Sequence, residues 1–316
     1  MVGMTSCTDA VHAASDTPVA EPTPRSTTPA VLAAGVTIVL WASSFVVIRS
    51  AGAHLAAGPM ALLRVLVAAL VLTPLVLRRR TRPLLPRGRA LGRVVAYGVM
   101  WFAADNVVLT IAERHVDAGT AALLVNVAPI LMAVGAGLFL GEGFPRPVVV
   151  GSLIGLVGVA VMTLGTGDEG SHADAVGLVL GLVAAMLYAT SVLLQKVTLR
   201  EIDGLHATWL GTLVGVVATL PFAGQLVGEL ASAPPSALLG AAYLGAFPTA
   251  VAFTTYAYAL THMSAGRIGP LVGYLATVVS VLMSWLFLDE VPTTLTLLGG
   301  AICIAGVVVS RRRSAR

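Results

Sequence analysis

Beyond its first thirty or so positions the chain falls into long apolar runs, separated by short polar or arginine-rich interruptions. A helix that crosses hydrocarbon needs about 20 mainly apolar residues. By that measure the pattern predicts ten spans, at about 30–48, 59–77, 94–112, 118–140, 148–164, 175–197, 206–223, 237–260, 266–288 and 293–309. The runs are continuous, whereas the strands of a membrane barrel would be about 10 residues long and would alternate in polarity. The expected fold class is therefore an all-α integral membrane protein with ten transmembrane helices. Residues 1–29 differ in character: they are rich in Ala, Thr, Ser and Pro, and Asp9, Asp16, Glu21 and Arg25 interrupt them. No basic stretch there leads into an apolar core, so the segment is expected to be a disordered cytoplasmic tail and not a signal peptide. Residues 311–316 are expected to form a short basic cytoplasmic tail.

Composition agrees with this reading. A chain of 316 residues that is 57% hydrophobic and 11% charged has too few charged groups to clothe a water-soluble surface. The net charge of +4 does not point to nucleic acid, because the basic residues follow the membrane. Seven arginines crowd the segment Arg78 to Arg93, and the chain ends in RRRSAR. With both termini inside, only Arg49, Arg64 and Arg114 of the 19 Lys and Arg fall in the outer half, while Asp168, Glu169 and Asp174 lie outside. Dropping one span would put one of the two arginine clusters on the wrong side. The expected location is the cell (inner) membrane, multi-pass, with both termini cytoplasmic. The two cysteines, Cys7 in the tail and Cys303 in the last helix, form no disulfide framework and no metal motif. No cofactor is expected.

The chain also repeats itself. With an offset of 147, LWASSFVVIR at Leu40 to Arg49 meets LYATSVLLQK at Leu187 to Lys196, and AERHVDAG at Ala112 to Gly119 meets ALTHMSAG at Ala259 to Gly266. One inserted residue later, LFLGE at Leu138 to Glu142 meets LFLDE at Leu286 to Glu290, Gly151 meets Gly299, and Gly158 meets Gly306. Residues 30–164 and 175–310 are thus expected to be two five-helix repeats. Because five is odd, the copies enter the membrane from opposite sides, an arrangement typical of secondary transporters. With ten helices in two halves, LWASSF in the first, an Arg in the second, and Pro129 in the fourth before LGE and a Gly-rich fifth, the chain resembles the EamA family of the drug/metabolite transporter superfamily. The resemblance spans about residues 30–310, and it implies a central cavity lined by helices 1, 3, 4, 6, 8 and 9. One departure is Thr277, which stands where Pro129 would recur.

A charged side chain inside hydrocarbon costs about 2.5–3.5 kcal/mol on insertion scales, so each one needs a reason. Two lie well within predicted helices, Arg64 and Asp105, at depths that differ by about 3 Å at 1.5 Å per residue. They are candidates for a buried ion pair or, for Asp105, for proton coupling. Tyr97, Trp101 and Asp105 recur every four positions with Asn106 beside them, while their repeat counterparts are Leu244, Pro248, Ala252 and Phe253. Polarity is therefore concentrated in one copy. Candidate substrate-binding residues are Trp41, Ser44, Trp101, Asn106, Asn126, Tyr188, Tyr256 and Tyr274. Aromatic walls with a few hydroxyls and amides suit a small, partly apolar solute. For any single one of these side chains, packing between helices or a place in the interfacial belt is the favoured reading. The spacings Gly151/Gly155, Gly177/Gly181 and Gly211/Gly215 predict close helix contact. Glu142 and Glu290, which end apolar helices at opposite faces, read either as caps of the helices that follow or as gates paired with Lys196 and Arg49 respectively.

An enzyme is not expected. Gly165 to Asp168 spells GTGD, but Asp168 falls in a polar loop, and neither HExxH nor GxSxG occurs. The P-loop needs a Lys that the chain does not supply, its one Lys being Lys196. The expected function is a secondary active transporter that exports a small metabolite, an amino acid or a related compound, by alternating access. A non-transporting membrane sensor or scaffold is the alternative, and an intramembrane enzyme the more remote one. The expected partners are a small-molecule substrate and the lipid bilayer, with no nucleic acid; proton coupling is left open as one of the readings of Asp105. Oligomeric state is not legible.

Overall fold

The structure is a computed structural model that describes residues 28–51, 54–79, 85–112, 115, 123–165, 175–288 and 291–312. Glu290, Asp168, Glu169, Asp174 and the first 27 residues lie outside the described residues, as does the side chain of Arg49. Among the described residues the secondary structure is entirely helical. In chain order the helices are α1 (Thr28–Ala51), α2 (Ala57–Arg79), α3 (89–112), α4 (Leu123–Phe139), α5 (Arg146–Gly165), α6 (Ala175–Thr198), α7 (Gly204–Ser232), α8 (Pro235–His262), α9 (Ala265–Leu288) and α10 (Thr294–Arg311). Eight of them are long and apolar enough to cross a membrane; α4 is a shorter apolar helix. Large apolar side chains point away from the bundle, as a lipid-facing surface requires. Both halves of the LFLxE echo take part, with Leu138 and Phe139 exposed on α4 and Leu286 and Phe287 on α9.

Several helices are less regular than their apolar runs suggest. The fourth run, expected to be continuous from 118 to 140, turns at Asn126 and Val127 before α-helix resumes at Ala128. Pro129 is the physical reason, since it has no N–H to return to the carbonyl four residues earlier. A short 3₁₀ stretch at Leu220–Phe222 interrupts α7, which continues well past the expected end near 223. Most informative are two π-helical segments, Val99–Asp105 in α3 and Gly245–Val251 in α8. Their starts lie 146 positions apart, within one position of the offset of the sequence repeat. In each, a side chain five residues on takes up a loosened carbonyl: Asn106 Nδ2 donates to Trp101 O at 3.0 Å, and Thr249 Oγ1 to Leu244 O at 2.8 Å. In α8 the cause is visible, because Pro248 cannot donate to Leu244 O.

Glycine seams hold the helices close. A Cβ at Gly151 would come within 2.5 Å of Gly306 O, and one at Gly299 within 2.5 Å of Gly158 O. Gly151 and Gly158 match Gly299 and Gly306 in the repeat, so the two contacts are each other's images. They also set α5 against α10 in antiparallel sense. Elsewhere α1 packs on α8 and α9, α2 on α7 and the π-segment of α8, and α4 on α6 and α9. Gly211 and Gly215 accept Tyr97 and Phe102 of α3 onto α7.

Candidate functional site

The two π-segments frame a cluster of rings contributed by α1, α3, α6 and α8. Trp41 lies edge-on to Trp101 and to Tyr188, with centroids 6.3 Å apart in both cases, and 5.2 Å from Tyr256. Trp101 lies 5.4 Å from Tyr188 and 4.7 Å from Phe253, which in turn lies 4.7 Å from Phe102. Trp41 and Tyr188 are counterparts in the repeat, so the two copies meet here. Trp41 Nε1 donates to Pro248 O at 3.2 Å, which ties α1 to the π-segment of α8. Trp101, Phe102, Phe253 and Tyr256 are buried behind Trp41 and Tyr188, which remain partly open. The cluster is therefore a platform with two accessible rings. The Tyr256 hydroxyl, fully buried, faces that of Tyr188 without completing a hydrogen bond of ordinary geometry.

Charge lies beside the platform. Asp105, the last residue of the α3 π-segment, attracts Arg64 through space and also lies near the Tyr188 hydroxyl. Arg64 directs its Nε to Thr249 Oγ1 at 2.6 Å, and that hydroxyl is anchored in turn on Leu244 O. Arg64 and Asp105, candidates for a buried ion pair, thus act on one another through space, with Thr249 as the direct partner of the guanidinium. Thr249 escaped the sequence reading, although a Thr beside a mid-helix proline is a signal for a relay of this kind.

The other candidates fall into place around this group. Ser44 is buried and bonds back to Trp41 O at 2.6 Å, while Asn106 supports the α3 π-segment. Tyr97 does not share the face of Trp101 as a four-residue spacing implies. The intervening π-segment shifts the register, and Tyr97 is turned onto α7, where its hydroxyl donates to Ala207 O. Asn126 sits at the break in α4 and approaches Thr277 Oγ1 at 3.3 Å. Tyr274 packs on Gly155 and donates to Ser152 O at 2.7 Å, so its hydroxyl braces α5 and α9.

Glu142 is a cap, but of a different helix from the one expected. Its carboxylate accepts from Ala265 N at 3.0 Å and Gly266 N at 3.2 Å, at the N-terminus of α9 and not of the following α5. A carboxylate there meets free N–H groups and the positive end of the helix dipole. Lys196, at the end of α6, donates to Met263 O at 2.6 Å and to Leu260 O, which satisfies the C-terminal carbonyls of α8. Glu142 and Lys196 attract one another through space. Together they clasp the α8–α9 turn from both sides. An exposed salt bridge, Arg93 to Glu201 at 2.6 Å, joins the start of α3 to the α6–α7 link. One residue before Lys196, Gln195 is fully buried with neither amide atom bonded, a group the sequence reading passed over.

These features have counterparts among known proteins. The profile of the EamA-like transporter family matches residues 28–164 and again 175–312. A probable terminal-alkyne amino-acid exporter of Streptantibioticus cattleyicolor is 34% identical over 291 residues, covering 90% of this chain and 94% of that protein. The uncharacterized transporter YdfC of Bacillus subtilis is 31% identical over 270 residues, covering 85% and 87%. A solved crystal structure superposes with a TM-score of 0.76 over 92% of this chain and 100% of its own, at 18% identity, which shows a shared fold. A multi-pass helical membrane protein matched along both halves by one family, this chain belongs to the EamA-like transporter family.

Proposed function

We propose that this protein is a secondary active transporter that exports a small metabolite, an amino acid or a related compound, from the cytoplasm by alternating access. The observation that carries the reading is the fixed cation and acid, Arg64 and Asp105, beside an aromatic platform where two equivalent π-segments meet. Ten spans in two inverted five-helix repeats, residues 30–164 and 175–310, provide two equivalent packings about that point. The recurrent π-segments and the reciprocal glycine contacts of α5 and α10 support this symmetry. With both termini cytoplasmic, Glu142 and Lys196 form the gate at the inner face. The similarity to the probable amino-acid exporter of Streptantibioticus supports amino acids as the class of solute to test first.

Solute carrying both an ammonium and a carboxylate suits a site with one charge of each sign, and an uncharged side chain suits the open faces of Trp41 and Tyr188. Energy comes from an ion or solute gradient, with Asp105 as the candidate proton-coupling group. A counterflow screen in proteoliposomes, with a metabolite panel led by neutral amino acids, tests the reading. Exchange of at least one neutral amino acid is expected. Failure of every solute to exchange in folded protein would sink the transporter reading in favour of a sensor.

A further inference from the structure

We infer that Gln195 is the solute's contact on the cytoplasmic side of the path, sealed by the Glu142–Lys196 clasp and uncovered when the clasp releases the α8–α9 turn. The inference rests on the transport reading above. Gln195 shares a helical face with Tyr188 and Ser191, at spacings of seven and four residues. At 1.5 Å per residue, the seven-residue step places it about 10 Å further along α6 than the ring platform. The next residue, Lys196, holds the end of α8. The polar face of α6 therefore runs from the platform past the level of the clasp, with Gln195 beside the seal and Thr198, bonded back to Leu194 O, closing the helix.

Two observations make an ordinary packing role a poor account of this residue. The side chain is fully exposed to neither water nor a partner: it is 0% accessible, and both its Nε2 and its Oε1 lack hydrogen bonds among the described residues. Burying an amide in this way is unfavourable, and an apolar side chain would fill the place without penalty. The other copy of the repeat has Ile48 at the equivalent position, so the helix itself does not call for an amide there. The Tyr256 hydroxyl, which belongs to the platform at the other end of this polar face, faces that of Tyr188 but completes no hydrogen bond of ordinary geometry.

An amide offers one donor and one acceptor group, which matches a solute head with both, such as the ammonium and carboxylate of an amino acid or a neutral carboxamide. When the inner side opens, Gln195 gains partners that the closed arrangement denies it. The charge-assisted bonds of Glu142 and Lys196 favour closure, and the unpaired amide opposes it. A ligand or water that satisfies Gln195 then shifts the population toward the open side, by as much as it binds that state better.

The test uses a single-cysteine reporter, Ser191→Cys, in a chain with Cys7 and Cys303 replaced by Ala, labelled with a membrane-impermeant maleimide in inside-out vesicles. Gln195→Leu is expected to raise the melting temperature, to reduce labelling about fivefold, and to slow solute exchange by a similar factor, because it removes an unsatisfied group only from the closed state. Glu142→Gln is expected to increase labelling of the same reporter. A lower melting temperature for Gln195→Leu, with labelling unchanged or increased, would show that the amide is bonded and structural, and would overturn the inference. Exchange by the parent chain with labelling indifferent to Gln195→Leu overturns this inference alone. Labelling that responds in a chain for which no solute exchanges overturns the transport reading and, with it, the role of Gln195 as a solute contact.

Discussion

An arginine inside hydrocarbon persists only where its donors and its charge are both answered. Arg64 has a hydroxyl acceptor in Thr249 and a through-space partner in Asp105. Removing one member of a buried pair strands the other, at a cost of about 3–5 kcal/mol. Arg64→Met is therefore expected to lower the yield of folded protein and its melting temperature in detergent, and Arg64→Met/Asp105→Asn to recover part of the loss. A double variant no more stable than the single one would show that the two groups are not coupled. Asp105→Asn alone addresses transport. It keeps the shape of the side chain and removes the ionisable group, so passive counterflow is expected to persist while accumulation driven by a pH gradient is lost. If both survive, Asp105 is not the coupling group. These two charges were legible in the sequence because hydrocarbon makes every ionisable group conspicuous. Thr249 and Gln195 were not, since Thr and Gln are tolerated in many helix environments and only their bonds, or the lack of them, distinguish these two.

At the scale of elements, the glycine seam between α5 and α10 leaves no space for even one methyl group. A Cβ at Gly158 would lie 2.6 Å from Cys303 N and 2.7 Å from Gly299 O, and backbone atoms of a helix cannot step aside as a flexible side chain can. Gly158→Ala is expected to destabilise by about 1–3 kcal/mol through overpacking. Gly35 is the contrast, with nothing within 4 Å of an added Cβ in the middle of α1. Gly35→Ala is expected to stabilise by up to about 1 kcal/mol through helix propensity. Opposite shifts in melting temperature for the two substitutions would check both claims, and a loss of similar size for each would refute the seam. Helix positions and these small-residue faces could be read from apolar run length and spacing. The π-segments could not: they arise from which carbonyls lose their partners, and Val99–Asp105 contains no proline to announce it. The break in α4 is half-legible: Pro129 marks a weak point in the helix, but an unbroken apolar run does not say that the turn falls at Asn126 and Val127, just ahead of it.

At the scale of the whole molecule, the proposed alternating access requires one closure that is firm yet reversible, and the clasp on the α8–α9 turn has that character. Lys196 holds the turn from within the second half, whereas Glu142 reaches it from the first, so the Glu142 side of the clasp holds only while the two halves are apposed at this end. Its bonds are charge-assisted but few, which makes the closed arrangement favoured without being locked. Amide hydrogen exchange across Met263 to Gly266 reads the clasp directly, because the N–H groups of Ala265 and Gly266 are the ones Glu142 holds. Glu142→Gln leaves one amide oxygen that can still accept, whereas Glu142→Ala leaves none. Exchange is therefore expected to quicken in the order parent, Gln, Ala. A loss of about 1.4 kcal/mol of local protection would appear as roughly tenfold faster exchange. Lys196→Met should act on the same segment from its other side, by freeing the carbonyls of Leu260 and Met263 and loosening the turn without touching an amide. Faster exchange at Ala265 and Gly266 in that variant would show that the two charges act as one device. Exchange that changes only with Glu142 would instead reduce the clasp to a helix cap and leave the closure to packing.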